Sequence, residues 1–189
     1  MKAMILAAGY GKRMMPLTEN LPKPLLKIGN ESLIERNINA LLAAGFNDMI
    51  INVSYLGSMI KKHVLEIFPN ANISFSEEEI PLGTGGGVLN AIGLLGKDPF
   101  MLINADIYHQ INLKNIKQDV DIAHLVGVEN PDHNVEGDFS LNADEVSISN
   151  NLNECTWSGI SIINPIIFDE LKIEDAPCLL YTSPSPRDS

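Results

Sequence analysis

Cysteine is scarce in this sequence. The 189 residues include only Cys155 and Cys178, which are too few for a disulfide framework and lack the spacing of metal ligands. The sequence also lacks an apolar run long enough to span a membrane. Its first residues lack the basic and long apolar regions of a signal peptide. We therefore expect a cytoplasmic protein without a membrane partner.

Positive charge is the second shortage. Thirteen Lys and Arg residues face 24 Asp and Glu residues, which gives a formal net charge of −11. Because binding to nucleic acid requires a positive surface, this balance argues against a nucleic-acid partner. Lys12, Arg13 and Lys23 cluster near the amino terminus against that negative background. A small phosphorylated ligand is compatible with this pattern.

The rest of the composition is ordinary for a globular protein. Hydrophobic residues make up 45% and charged residues 20% of the sequence, and the length suits one α/β domain. We expect this domain to comprise residues 1–178. Residues 179–189 (LLYTSPSPRDS) are rich in Ser and Pro and continue no earlier pattern, which predicts a non-native tail. On this interpretation the domain is truncated at its carboxyl end.

Segments of strand length alternate with segments of helical period over the first hundred residues. Ser32 and Glu35 have the spacing of a capping box that opens a helix, and Gly45 is placed to end it. This alternation predicts an α/β fold with a Rossmann-like, doubly wound, mostly parallel sheet. We predict strands at 2–8, 49–53, 73–76 and 100–104, and helices from Ser32 to Gly45, at 56–68 and at 85–95.

Two chemically distinctive residues follow predicted strands. Gly9 comes after the first strand and Asp106 after the fourth, so both are expected at the carboxyl edge of the sheet, where such folds bind ligands. Beyond Asp106 the segments are shorter and suggest a small antiparallel addition that covers a second substrate. We predict strands there at 121–128, 139–141, 146–148 and 157–163, and a short helix at 165–171.

The turn after the first strand is suited to phosphate. Gly9 and Gly11 expose backbone N–H groups, and Lys12 and Arg13 supply fixed positive charge. A dinucleotide-binding motif would have a third glycine where Met14 stands, and a P-loop would have Ser or Thr after Lys12. A basic surface turn without a ligand stays open as an alternative.

Lys23 lies between Pro22 and Pro24. The two prolines are expected to hold it in an extended segment of low mobility, so its ammonium group would lose little entropy on meeting a phosphate. The alternative is a rigid surface turn with a solvated lysine.

A glycine-rich segment and a carboxylate complete the set of candidate site features. Residues 82–87 (LGTGGG) precede a predicted helix and can lie against a base or ribose. Asp106 is a natural ligand for Mg²⁺, which typically takes one or two carboxylates together with phosphates and water. An Asp that caps the next turn is the alternative. The acidic run at 77–79 is expected to be a solvated loop.

Four short segments resemble, in their order, those of the sugar-1-phosphate nucleotidyltransferases: residues 7–14 (AAGYGKRM), 22–25 (PKPL), 82–87 (LGTGGG) and 104–106 (NAD). Within that family, residues 137–139 and 157–160 are similar to the sugar-side segments of a short bacterial branch. That branch uridylylates N-acetylmuramate α-1-phosphate in the recycling of cell-wall peptidoglycan. The resemblance covers residues 1 to about 171.

The resemblance implies a glycosyltransferase-A-like fold and a single-step transfer from a nucleoside triphosphate to a sugar 1-phosphate. UTP and N-acetylmuramate 1-phosphate are favoured as the two small-molecule substrates. Such a reaction depends on positioning and charge neutralisation. The implied catalytic residues are Arg13, Lys23 and Asp106, with Asp106 also holding Mg²⁺. The implied nucleotide-binding residues are Gly9, Gly11, Lys12, Arg13, Lys23, Gly83 and Thr84, and the implied sugar-binding residues are Asn104, Gly137 and Asp138.

Two departures from the family pattern keep alternatives open. Relatives often carry Gln before the Leu-Gly-Thr turn to read the base, whereas this sequence has glutamates at 77–79, so uracil, guanine and thymine all remain candidates. The family's second metal-binding Asp, near its carboxyl end, has no counterpart here. A nucleotide-binding module without turnover is therefore an alternative. A nicotinamide-dependent dehydrogenase is disfavoured by Met14.

Overall fold

The computed structural model describes residues 1–142, 145–148, 152–169 and 171. Within them, strands and helices alternate up to residue 104 and strands dominate afterwards. The elements are β1 (Ala3–Leu6), β2 (Lys27–Ile28), β3 (Glu31–Ser32), α1 (Leu33–Ala44), β4 (Asp48–Val53), α2 (Gly57–Ile67), β5 (Asn72–Glu77), α3 (Gly83–Leu95), β6 (Phe100–Asn104), β7 (Ala123–Glu129), β8 (Ser140–Asn142), β9 (Glu145–Ser147) and β10 (Cys155–Ile163). Short 3₁₀ helices cover Lys12–Met14, Lys23–Leu25, Leu113–Asn115 and Pro165–Phe168.

A six-stranded sheet organises the described part of the chain, with the strand order β5-β4-β1-β6-β10-β7. β1 pairs in parallel with β4 and β6, and β4 pairs in parallel with β5. β10 runs antiparallel to both β6 and β7. The prediction of a mostly parallel α/β sheet with an antiparallel addition is confirmed.

The central strand β1 is buried on both faces. Ala3 and Ile5 point into a core built with α1 and α2, whereas Met4 points into a second core built with α3. Successive side chains of a strand alternate between faces, so an apolar residue at every position requires a layer of helices on each side. This is the doubly wound arrangement that the sequence predicts.

The ends of α1 follow the predicted pattern. The Ser32 hydroxyl accepts a hydrogen bond from the backbone N–H of Glu35, and the Glu35 carboxylate accepts one from the N–H of Ser32. Gly45 ends the helix in the left-handed conformation, with φ of 93°, which glycine adopts without steric cost. The capping box and the C-terminal glycine are both confirmed.

Several predicted boundaries were wrong because local hydrogen bonds form where the apolar pattern is weak. α3 begins at Gly83 rather than at residue 85. The segment between the predicted first strand and the predicted first helix also forms a 3₁₀ helix and β2, which pairs with β3. Within the helix predicted at 165–171, the structure describes a 3₁₀ helix at Pro165–Phe168.

The second half of the chain adds β10 and β7 to the edge of the main sheet. β10 is longer than predicted and contains an irregularity between Trp157 and Ser161. β8 and β9 form a separate hairpin. The predicted tail at 179–189 lies outside the described residues, and the proposed end of the domain at 178 does too. Among the helices that the structure describes, none is long and apolar enough to span a membrane.

Candidate active site

A cleft of about 490 Å³ opens at the carboxyl ends of β1, β4 and β6. Nine of the predicted site residues line the cleft. They come from the turn after β1 that contains Gly9 and Gly11 (the phosphate-side turn), the Pro-Lys-Pro segment, the start of α3 and the end of β6. They are Gly9, Gly11, Lys12, Arg13, Lys23, Gly83, Thr84, Asn104 and Asp106. Segments far apart in the sequence thus converge, as expected for the carboxyl edge of a doubly wound sheet.

The turn after β1 depends on Gly11. Its φ is 65°, and a Cβ there would lie 3.1–3.3 Å from side-chain atoms of Thr18 and Lys23. The fully buried Thr18 donates a hydrogen bond of 2.8 Å from its hydroxyl to the Gly11 carbonyl. The turn after β1 therefore contains a tight 3₁₀ helix at Lys12–Met14, closed by a hydrogen bond of 2.9 Å from Met14 N–H to Gly11 O.

Gly9 has a different environment. A Cβ on Gly9 would meet no atom within 4 Å, although the residue lines the cleft. Within the part of the chain that the structure describes, no protein group therefore demands glycine at this position. The open space beside its backbone is where a ligand can approach closely.

Lys23 and Asp106 form an ion pair between Nζ and Oδ2 at 2.5 Å. Both side chains are about one-third exposed. The prediction of an extended Lys23 was wrong, because the residue opens a 3₁₀ helix in which Leu25 N–H bonds to Pro22 O at 2.8 Å. The prolines still constrain the segment, and Pro24 is buried.

The other two cations face solvent. Lys12 and Arg13 are exposed, and Lys12 Nζ lies 5.4 Å from the centre of the Tyr10 ring. Tyr10 packs against Tyr55 with ring centres 5.4 Å apart. The sequence interpretation missed Tyr10 as a cleft residue, although an aromatic between two glycines was a usable signal.

A buried chain of hydrogen bonds lies behind the cleft, and the prediction of a solvated acidic loop at 77–79 was wrong at its centre. Glu78 is 7% exposed. Its Oε1 accepts from Asn52 Nδ2 at 2.6 Å, and its Oε2 accepts from Leu82 N–H at 2.9 Å. Asn52 Oδ1 in turn accepts from Ala7 N–H at 2.8 Å. Glu78 turns inward because these donors satisfy its carboxylate.

Asn37 holds the backbone around Asp106. This side chain is 1% exposed, and its Nδ2 donates to the carbonyls of Asn104, Ala105 and Ile107 at 3.4, 3.2 and 3.2 Å. These carbonyls flank Asp106 on both sides, so one amide from α1 fixes the loop that carries the carboxylate. The sequence offered only a polar residue on an apolar helix face as a sign of this role.

Asn104 is positioned by a close approach from β10. Gly159 has φ of 82°, and a Cβ there would lie 2.8–3.2 Å from atoms of the Asn104 side chain. The irregularity of β10 between Trp157 and Ser161 therefore makes room for Asn104 in the cleft wall.

The remaining predicted sugar residues, Gly137 and Asp138, are not among the residues that line the cleft. Asp138 accepts hydrogen bonds from Trp157 N–H at 2.8 Å and from Asn134 Nδ2 at 3.0 Å. Gly137 has φ of 65° and packs against Asn153 and Asn130. In this conformation both residues organise the loop beside β10.

The cleft has the donor chemistry for a magnesium ion shared with a ligand. Among the cleft-lining residues in the described part of the chain, Asp106 contributes the one carboxylate. In the part of the chain that the structure describes, no group of three or more His, Cys, Asp or Glu residues could hold a metal ion. A single carboxylate fits Mg²⁺ when phosphate oxygens and water complete the shell. The site thus suits a metal that arrives with a phosphorylated substrate.

Comparisons with known proteins show the family to which the chain belongs. A family model described as nucleotidyl transferase matches residues 2–126, more than half of the chain. The N-acetylmuramate alpha-1-phosphate uridylyltransferase of Neisseria meningitidis serogroup B is 40% identical over 185 residues, covering 91% of this chain and 79% of that protein. The mannose-1-phosphate guanyltransferase of Aspergillus oryzae is 31% identical over 207 residues, covering 98% of this chain and 55% of that protein.

A solved structure supports the same assignment. HddC from Yersinia pseudotuberculosis, complexed with GMP-PN, superposes with a TM-score of 0.72 at 27% identity, covering 90% of this chain and 79% of that one. The chain therefore belongs to the nucleotidyl transferase family, among the sugar-1-phosphate nucleotidyltransferases that its motifs resemble. It spans about half the length of the Aspergillus relative and more than three-quarters of the Neisseria one.

Proposed function

We propose that this protein transfers a uridylyl group from UTP to N-acetylmuramate 1-phosphate, releasing pyrophosphate. The observation that carries the transferase assignment is the Lys23–Asp106 pair on the cleft wall beside the phosphate-side turn. The uridylyl and muramate preferences are supported by the Neisseria relative, which is named for that reaction. The proposed catalytic unit is residues 1–178. It would act in the cytoplasm, in the recycling of peptidoglycan.

The chemistry is one displacement at phosphorus. A phosphate oxygen of the sugar 1-phosphate attacks the α-phosphorus of the triphosphate. The bond from that phosphorus to the bridging oxygen of the β-phosphate breaks, and pyrophosphate leaves with the electron pair. Mg²⁺ held at Asp106 would supply charge neutralisation between the two phosphates.

The chain's own cations have distinct places in this reaction. The Gly9 and Gly11 backbone with Lys12 and Arg13 would hold the β- and γ-phosphates, and Arg13 can bind phosphate oxygens in a bidentate manner. Lys23 is less exposed than Lys12 and Arg13 and would lie at the reacting α-phosphate. Its ammonium group would stabilise charge that develops in the transition state.

Base and sugar contacts come from the other walls of the cleft. Gly83 and Thr84 would face the base from the start of α3, and Asn104 would contact the sugar. Gly137 and Asp138 would join the sugar site if the loop beside β10 moves toward the cleft on binding. Guanylyl, thymidylyl or uridylyl transfer to a mannose- or glucose-type 1-phosphate is the alternative within the family. The Aspergillus relative, a mannose-1-phosphate guanyltransferase, represents the guanylyl case.

A nucleotide-binding protein without turnover is the second candidate. It is favoured by one observation, namely that Asp106 is the single carboxylate among the cleft-lining residues that the structure describes. Calorimetric titration with UTP and GTP, with and without Mg²⁺, distinguishes it, because tight binding without any product supports this candidate.

The deciding assay measures pyrophosphate release for each pair of one triphosphate (UTP, GTP, dTTP, CTP) and one sugar 1-phosphate. The panel should include N-acetylmuramate, mannose and glucose 1-phosphates, each with and without Mg²⁺. We expect the highest kcat/KM for UTP with N-acetylmuramate 1-phosphate. Release with a different pair would correct the substrates, and no release with any pair would overturn the transferase proposal.

A further inference from the structure

The buried hydrogen-bonded chain from Ala7 N–H through Asn52 and Glu78 to Leu82 N–H connects two walls of the cleft. We call this chain the Asn52–Glu78 bridge. Ala7 lies just before the turn with Gly9 and Gly11, which is proposed to hold the phosphates. Leu82 immediately precedes Gly83, the first residue of α3, and the turn at 82–84 is called the base-side turn because Gly83 and Thr84 are proposed to face the base. We propose that the Asn52–Glu78 bridge is a positioning device that fixes the spacing between the triphosphate and base subsites. This inference rests on the proposed nucleotide-binding function.

The geometry of the bridge leaves little freedom. Its three hydrogen bonds measure 2.8, 2.6 and 2.9 Å, and Asn52 and Glu78 are 2% and 7% exposed. The Glu78 backbone is also tied to β4, because its N–H bonds to Val53 O at 2.9 Å. Since Asn52 itself belongs to β4, both side chains of the bridge are anchored to the same strand of the sheet.

The Asn52–Glu78 bridge also explains why one of the glycines near the start of α3 is needed. A Cβ on Gly87 would lie 2.7 Å from Asn52 Nδ2 and 2.9 Å from Glu78 Oε1. Only glycine at this position lets the helix pack over the two polar side chains. The bridge and the bare helix face thus fit each other.

Glu78 acts through the turn and not on the ligand. It is absent from the residues that line the cleft, whereas Asn52, Pro81, Gly83 and Thr84 are among them. Its two carboxylate oxygens both accept hydrogen bonds within the bridge. Glu78 is accordingly a positioning residue whose loss would shift the base-side turn and leave the phosphate-side cations in place.

The bridge also has a fixed order of donors and acceptors. A carboxylate only accepts, so Glu78 can take both N–H groups, whereas glutamine would present one N–H to another donor. Glu78→Gln therefore breaks one hydrogen bond without changing side-chain volume. Asn52→Asp places a second carboxylate against Glu78, which is repulsive. The double variant Asn52→Asp/Glu78→Gln restores all three hydrogen bonds, because the introduced glutamine donates to the introduced aspartate and accepts from Leu82 N–H.

The test compares these variants in the full chain by calorimetry, with UTP and inorganic tripolyphosphate as probes. Glu78→Gln should weaken UTP binding about tenfold, as expected for losing one hydrogen bond to a charged group. It should change tripolyphosphate binding less than about twofold. Asn52→Asp should weaken UTP binding further, and the double variant should recover most of the wild-type affinity. Glu79→Gln, the same change at the exposed neighbouring residue, should bind both probes normally.

Amide hydrogen exchange gives a second measurement that needs no activity and no ligand. The Leu82 N–H should exchange slowly in the wild type and the double variant, and faster in Glu78→Gln. Two results would overturn the proposal. One is that Glu78→Gln weakens the binding of UTP and of tripolyphosphate equally. The other is that the double variant binds UTP no more tightly than the single variant with the lower UTP affinity. Absence of product in the substrate panel, with the exchange and UTP affinities as expected, would overturn the transferase function and leave the bridge supported.

Discussion

Lys23 Nζ donates to Asp106 Oδ2 across 83 residues of sequence, at 2.5 Å. The contact joins the Pro-Lys-Pro segment to the end of β6 on the wall of the cleft. Both groups are partly exposed, so the pair by itself contributes little to stability. Its placement matters more, because a bound phosphate can take the ammonium group from Asp106 and leave that carboxylate free for a cation.

Lys23→Ala should reduce the rate of pyrophosphate release by about 100- to 1,000-fold, the range for removing one preorganised group at a developing charge. The free energy of unfolding should change little, because the pair is partly exposed. Steady-state kinetics and thermal unfolding measure the two effects. Lys27→Ala is the matched control, since Lys27 is exposed in β2. An unchanged rate in Lys23→Ala would make the Pro-Lys-Pro segment merely a rigid turn.

The two glycines of the phosphate-side turn should respond differently to alanine. Gly11→Ala forces a side chain into a left-handed conformation against Thr18 and Lys23, so unfolding should become easier by about 1–2 kcal/mol. Gly9→Ala meets no protein atom within 4 Å, so stability should be unchanged while the KM for the triphosphate rises. Thermal unfolding together with kinetics separates the two. A normal KM in Gly9→Ala would show that no ligand approaches this backbone.

Asn37 should affect the metal through the loop it holds. Asn37→Leu leaves buried carbonyls around Asp106 without their donor, which costs about 1–3 kcal/mol. We expect lower stability and a higher Mg²⁺ concentration for half-maximal activity. Asn39→Leu, two residues along α1 and exposed, is the control. If both variants show the wild-type Mg²⁺ dependence, Asn37 stabilises the fold without positioning Asp106.

His109 makes stability depend on pH. Burial lowers the pKa of His109 below its ordinary value of 6.5, the Arg36 charge lowers it further, and contact with the Ile111 backbone opposes the shift. The unfolded chain therefore binds a proton more readily than the folded one. Stability from this group is fully present above the ordinary pKa of 6.5 and is lost as the pH falls below it.

Thermal midpoints of the wild type and His109→Gln between about pH 5 and 8 test this dependence. The variant should lose less stability than the wild type as the pH falls. His133→Gln, at an exposed histidine, should retain the wild-type profile. A His109→Gln profile parallel to that of the wild type would contradict the assignment.

Much of the architecture was predictable from local patterns. The spacing of apolar residues and the turn-forming residues predicted four strands of the main sheet and the helices between them. They also predicted the capping box at Ser32 and Glu35. The start of α3 was misplaced because its first turn depends on a contact of the buried Glu78 with Leu82 N–H that no apolar pattern reveals. The Lys23–Leu25 turn was missed for a similar reason, since burial of Pro24 and Leu25 decides it.

The residues of the candidate site also fall into a group that the sequence could predict and a group that it could not. Gly11 and Asp106 were identifiable as cleft residues because they come shortly after predicted strands, and Lys23 was identifiable because it lies between two prolines. Asn37, Asn52 and Glu78 were not, because a buried polar residue is recognised only when its partners are known. Acidic residues in a row suggest a solvated loop, and the inward turn of Glu78 depends on donors from two separate segments.

The most direct test of the central claim follows the α-phosphate itself. UTP labelled at the α-phosphate is incubated with the protein, Mg²⁺ and N-acetylmuramate 1-phosphate, and the labelled products are separated. The account predicts that label appears in the nucleoside-diphosphate sugar in amounts equal to the pyrophosphate released, and that Asp106→Asn abolishes this transfer. Label that remains in UTP, or appears only in UMP or UDP, would contradict it.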